Sequence, residues 1–162
     1  MYLDDSLNNV IIVPSNNHGF VSDLITKLSS IKNERTITLF GLEKWTNFDN
    51  IDMDYLHDLN VHIANSQYID YNNAAIKKFE QHFFENYDAL PTKYGVLGFE
   101  ITDYYLSALN MFGRNFQQKL PEHKMNGLST SFNFFKTGLE SGYENQFTRV
   151  LNYQNFELRP VD

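Results

Sequence analysis

The chain has 162 residues, 42% of them hydrophobic, and a formal charge of −7 from 13 Lys+Arg against 20 Asp+Glu, a content that suits one ordinary globular domain. With no Cys it holds no disulfide, no thiolate nucleophile and no cysteine-based zinc or iron–sulfur site, which leaves the redox compartment open. The acidic balance, unrelieved by any basic run, argues against nucleic acid as a partner, and no stretch approaches the ~18 continuous apolar residues of a membrane span. The N-terminal stretch Met1-Tyr2-Leu3-Asp4-Asp5 lacks the positive region and apolar core of a signal peptide, but a targeting segment can precede a chain, so this does not assign a compartment. Aromatics are plentiful, with 14 Phe, 10 Tyr and one Trp, and the 19 Asn read as genome bias more than function.

In chain order, Val10-Ile11-Ile12-Val13 is a β-branched run stopped by Pro14, read as a strand buried on both faces of a parallel sheet. Ser15-Asn16-Asn17-His18-Gly19 is a turn rich in N-cap residues. Phe20, Val21, Leu24, Ile25, Leu28 and Ile31 then fall at helical spacing, and Arg35 to Phe40 forms a second strand ended by Gly41. Residues 9 to 41 thus have the length of a βαβ unit. A loop through Trp45-Thr46-Asn47, a short helix from Asp52 to Leu59 and a strand at Val61-His62-Ile63-Ala64 repeat the pattern less cleanly. Such alternation predicts an α/β layered sandwich around a parallel sheet.

From Asn72 the character changes. Ala75, Ile76, Phe79, Phe83 and Tyr87 mark an amphipathic helix that stops before Pro91, and Thr92 to Met111 form another. In the latter, Leu97, Ile101, Tyr105, Ala108 and Phe112 give one stripe, with Val96, Phe99 and Leu106 off it. A helix apolar on most of its circumference is expected to be buried on most sides. The last forty residues read as C-terminal β-hairpins: Leu128 to Phe135, a turn from Gly138 to Gly142, then Gln146 to Tyr153 and Phe156 to Val161. No repeat, low-complexity tract or linker divides the chain, and residues 1–162 read as a single compact unit.

The strand-to-helix turn is the best site candidate, because open α/β sheets bind ligands at the carboxyl ends of their strands. Ser15, Asn16, Asn17 and His18 offer hydroxyl, amide and imidazole groups beside a helix start, a set suited to a carboxylate; the plainer reading makes Ser15 or Asn17 an N-cap. At the end of the second strand, Glu43 can receive an ammonium group and Trp45 can offer a ring face, or Trp45 covers the sheet edge and Glu43 is solvated. The five His are scattered, at 18, 57, 62, 82 and 123, and neither metal nor cofactor is expected. The Gly-x-Ser-x-Gly elbow and both glycine-rich phosphate loops are absent, so an enzyme reading would need Ser15, His18 and a carboxylate such as Asp49 to converge. Gly95 and Gly98 on the long helix, and Phe132, Phe134 and Phe135, read as packing positions.

The order of features resembles the C-terminal half of type I periplasmic binding proteins, the branched-chain amino-acid receptors of ABC transporters and their relatives. The residues that carry it are Ile37-Thr38-Leu39-Phe40-Gly41, Leu59-Asn60-Val61, Tyr68-Ile69-Asp70, the Phe79…Phe83…Tyr87…Pro91 helix, Gly98-Phe99-Glu100 and Gly142-Tyr143-Glu144-Asn145. Gly98-Phe99-Glu100 stands where the family usually has Gly-Tyr-Asp. The resemblance implies part of a bilobal, hinge-closing, extracytoplasmic and non-enzymatic receptor. Residues 8–72 would be second-lobe βαβαβ, 73–125 helices packing toward the first lobe, and 126–162 closing hairpins. It implies a small polar ligand, an amino acid or a relative, held by Ser15, Asn16 and Asn17 and by Leu42 and Glu43. Asn16 takes the place of the family's usual aromatic. An ABC transporter permease is the implied partner; a receptor-like fold acting in cell-envelope or cell-wall interaction is the alternative. If a first lobe is missing, the Tyr94 to Phe112 helix is expected to pack on the chain's own sheet or to join a homodimer.

Overall fold

The computed structural model describes residues 3–32 and 35–161; Met1 and Tyr2 of the N-terminal stretch, Asn33, Glu34 and Asp162 lie outside the described residues. In chain order the strands are β1 (Asn8–Ile12), β2 (Thr36–Leu42), β3 (Val61–Asn65), β4 (Met125–Asn126), β5 (Ser131–Phe132), β6 (Phe134–Lys136), β7 (Tyr143–Asn145), β8 (Arg149–Gln154) and β9 (Glu157–Pro160). The α-helices are α1 (His18–Ile31), α2 (Met53–Asp58), α3 (Ala74–Tyr87) and α4 (Lys93–Phe112), with 3-10 turns at Glu43–Asn47 and Gly113–Glu122. Where the sequence suggests a single compact unit, the chain divides into two: Met1–Asn65 with Arg149–Asp162, and Ser66–Thr148.

The first unit is an α/β layer structure on a five-stranded sheet ordered β1-β2-β3-β8-β9. β1, β2 and β3 run parallel, as their alternation with α1 and α2 predicts, while β8 and β9 add antiparallel. The strands put Ile37, Leu39, Val61, Ile63 and Leu151 on one face, all buried beneath Val21, Ile25 and Leu28 of α1 and Leu56 of α2. The other face carries a chain of polar groups. Thr38 Oγ1 donates to Asn8 Oδ1, Asn60 Nδ2 to Thr38 Oγ1, and Asn152 Nδ2 to Asn60 Oδ1 at 2.7 Å, with Phe40 stacked on His62 nearby.

The reading of Val10 to Val13 as a strand buried on both faces is corrected. β1 is an edge strand, and Val10 and Ile12 are 58% and 73% exposed. The physical reason is that apolar cover sits on the face toward which Ile11 turns in register with Leu39, whereas Val10 and Ile12 turn the other way. The C-terminal hairpins are also redistributed. The Gly138 to Gly142 turn closes β6 on β7 as read, but the run from 146 onward becomes β8, which pairs with β3 inside the main sheet. The β8–β9 turn places Asn155 and Phe156 at φ 51° and 62°, the double left-handed geometry of a two-residue hairpin.

In the second unit, α4 is buried along Val96, Glu100, Tyr104 and Ala108, and not on most sides as expected. Tyr104 and Ala108 form a core with Leu120 and Phe132, against which Phe112, Phe116, Met125, Phe134 and Tyr143 pack. The stripe of Leu97, Ile101 and Tyr105 instead lines an open cavity of about 290 Å³. A glutamate belongs on the buried face because the loop 127–130 supplies it with donors. Ser129 N–H donates to Glu100 Oε2 at 2.8 Å, Thr130 N–H to the same oxygen at 3.1 Å, and Ser129 Oγ to Oε1.

Candidate functional site

Parallel pairing brings the ends of β1 and β2 to one edge of the first unit's sheet, the edge at which α/β sheets take ligands. Two contacts join the turns that follow. Trp45 Nε1–H donates to the Ser15 carbonyl at 2.8 Å, and the Trp45 ring lies so closely on Gly41 that a Cβ there would overlap it. Glycine at 41 is therefore what lets the ring cross the end of β2 and reach the β1 turn. The ring is 2% exposed. Trp45 thus positions the two turns instead of presenting a ring face to a ligand.

Within the β1 turn, Asn17 is the N-cap of α1: its Oδ1 accepts the Phe20 N–H at 2.9 Å. Ser15 Oγ accepts the Asn17 N–H at 3.2 Å, which closes the turn. The first turn of α1 contains no acidic residue, so the positive end of its dipole faces the site without an internal counter-charge. Asn16 and His18 are exposed beside it. His18 Nε2 hydrogen-bonds Asn50 Oδ1, and the imidazole meets the Phe48 ring edge-on at 4.6 Å. Glu43 opens the 3-10 turn after β2; its carboxylate is exposed and makes no ion pair among the described residues.

All six residues singled out from the sequence therefore lie on two neighbouring turns, five as surface groups or caps and Trp45 as the buried tie. Asn50 and Phe48 were not singled out; both sit in the Asn-rich stretch Asn47-Phe48-Asp49-Asn50, whose contact with the β1 turn is long-range and leaves no local pattern. The Ser15–His18–Asp49 arrangement is not assembled, because His18 pairs with the Asn50 amide and Ser15 Oγ with a backbone N–H. Among the described residues no three His, Asp or Glu side chains are grouped as metal ligands, and no helix is long and apolar enough to cross a membrane. What the arrangement supplies chemically is one carboxylate, amide and hydroxyl groups, and a helix start, a set complementary to a small dipolar molecule.

No protein-family model matches the chain, and no curated protein matches it either. Solved structures do. An ABC transporter substrate-binding protein from Desulfitobacterium hafniense, in complex with leucine, superposes with a TM-score of 0.55 at 10% identity, over 94% of this chain and 43% of that one. Another ABC transporter substrate-binding protein structure from the same organism gives 0.53 at 12% identity, over 94% and 44%. The likeness shows a substrate-binding-protein fold, of which the chain spans less than half the length of the proteins it matches.

Proposed function

We propose that this chain is the C-terminal part of a two-lobe, extracytoplasmic solute receptor of an ABC transporter-like system, non-enzymatic, that holds a small polar ligand such as an amino acid by hinge closure. The observation that carries this reading is the Trp45–Ser15 bond, which ties the turn that bears Glu43 to the turn that opens α1, at the carboxyl edge of a sheet with this fold. In the proposed mode Glu43 receives the ligand's ammonium group. The amides and hydroxyls around Ser15 to Asn17, at the uncompensated start of α1, face its carboxylate. Leucine is bound by the first of the two similar structures and is the natural first probe.

The exposed faces support the fragment part of the proposal. In the first unit β1 offers an open edge, and in the second α4 leaves Leu106, Leu109 and Met111 exposed, each a face that a first lobe would cover. The permease is then the partner of the whole receptor, and a homodimer through α4 is the alternative use of that face. Light scattering separates them: a monomer at all concentrations counts against the dimer. The receptor itself is tested by thermal shift and calorimetry on the full-length protein, with amino acids, dipeptides and sugars as probes. Binding of an amino acid that Glu43→Ala weakens about tenfold is the expected result. Absence of binding across the panel rejects it.

A cell-envelope role without transport is favoured by one feature, the concentration of exposed Phe84, Tyr87, Tyr94 and Phe99 on α3 and α4. Co-sedimentation with purified peptidoglycan, unaffected by amino acids, would support that reading over the first.

A further inference from the structure

We propose that the groove between α3 and α4 is a second binding site, for an amphiphile with an apolar body and one anionic head, such as a fatty-acid carboxylate. It lies wholly within the second unit and shares no residue with the strand-end turns of the first. Its volume of about 730 Å³ falls in the range of small-molecule sites. Ala75, Phe79, Phe83 and Tyr87 follow each other along α3 at steps of four, and Lys78, His82 and Asn86 do the same one position back. An aromatic wall and a polar rim therefore run side by side along one helix.

The wall is pre-assembled. Phe79 packs on Phe83 at 6.0 Å and on Phe99 of α4 at 4.8 Å, and Phe83 packs on Tyr87 at 4.6 Å. Gly95 and Leu128 complete the lining. The formal charge on that lining is one-sided: Lys78 contributes to it and no carboxylate does, while His82 adds a ring N–H or lone pair. Lys78 makes no ion pair among the described residues, whereas His82 Nδ1 stands 3.8 Å from Glu85, which is outside the lining. An apolar ligand body is held by removing the aromatic wall from water, and the rim then discriminates in favour of an anion.

The test uses the full chain with octanoate, decanoate and dodecanoate below their micelle concentrations, beside decanol and decyltrimethylammonium, read by calorimetry and by displacement of anilinonaphthalene sulfonate. One carboxylate should bind per chain, with affinity rising about two- to fourfold per added methylene. The cationic amphiphile should bind about two- to fivefold more weakly, and Lys78→Glu should reverse that order. Gly95→Leu should abolish binding with the fold intact, since a Cβ at Gly95 meets only ordinary contacts, Pro91 Cβ at 3.5 Å and Thr92 Oγ1 at 3.9 Å. An unchanged near-ultraviolet circular dichroism spectrum establishes that. Absence of binding, equal binding of both charges, binding indifferent to Gly95→Leu, or a dimer that Gly95→Leu dissociates would each overturn the proposal.

Discussion

Removing the carboxylate of Glu100 tests the physical account of the second unit at its most constrained point. Glu100 is 1% exposed, and its two oxygens accept three hydrogen bonds from Ser129 and Thr130. Glu100→Ala deletes the acceptor but leaves two buried N–H groups and one hydroxyl without a partner, at a cost of about 1–3 kcal/mol for each buried unsatisfied group. Partial opening of the 127–130 loop to water recovers some of that, so a net loss of about 3–5 kcal/mol is expected. Glu100→Gln keeps one carbonyl for the two amides, and its NH₂ can donate to Ser129 Oγ once that hydroxyl rotates; a loss of about 1–2 kcal/mol follows from the weaker neutral bonds. Gly127 provides a cross-check. A Cβ there would overlap Glu100 Oε2 and stand 3.0 Å from the Thr130 carbonyl, so Gly127→Ala should cost less in the Glu100→Ala background than alone, a coupling of at least about 1 kcal/mol. Urea denaturation gives the totals, and amide hydrogen exchange at Ser129 and Thr130 locates them. If Glu100→Ala and Glu100→Gln are equally costly, or Glu100→Ala costs under about 0.5 kcal/mol, the carboxylate does not hold this loop and the reasoning fails.

Three further outcomes follow from the same geometry. Gly41→Ala forces the Trp45 ring off the end of β2 and should cost about 1–3 kcal/mol, with a red-shifted emission from the chain's single Trp as the readout; an unchanged spectrum contradicts the close approach. Burial, with a smaller contribution from Tyr105, pushes the Tyr104 phenol up to about 12. The unfolded chain loses that proton near pH 10, so stability present below pH 10 declines between about 10 and 12. Tyr104→Phe should flatten that decline in urea midpoints at about pH 10.5–11, while costing about 1 kcal/mol at neutral pH for its bond to the His123 carbonyl; an equal slope in both proteins refutes it. Leu39→Ala, beneath α1 and α2, should lose about 2–5 kcal/mol whereas Ile12→Thr on the open edge changes stability by under about 1 kcal/mol, and equal losses would contradict the edge placement of β1.

Much of the first unit is legible in the sequence because its information is local. The β-branched runs, the Asn17 cap and the helical spacing of Val21, Ile25 and Leu28 each specify structure within a few residues. Whether a strand such as Val10 to Val13 is central or at an edge is not local, since an apolar β-branched run reads the same in either place. The entry of β8 beside β3 escapes for the same reason, as 83 intervening residues separate them in the chain. For α4 the apolar stripe misleads. Glu100, the one acidic residue on the face that is buried, is stable there only because of donors about thirty positions away. At the site, the residue types and the turns are readable, but Trp45 looks equally suited to a ligand or to the protein itself. Only its bond to Ser15 and its contact with Gly41 decide that it serves the protein.

The most direct measurement of the central claim is calorimetric titration of the full-length protein with L-leucine and the other amino acids, alongside Glu43→Ala and Trp45→Phe. The account predicts one site per chain, about tenfold weaker in Glu43→Ala, and weaker in Trp45→Phe because the indole N–H that ties the two turns is gone. Binding that neither substitution alters, or no binding of any amino acid, would contradict a solute site at the carboxyl edge of this sheet.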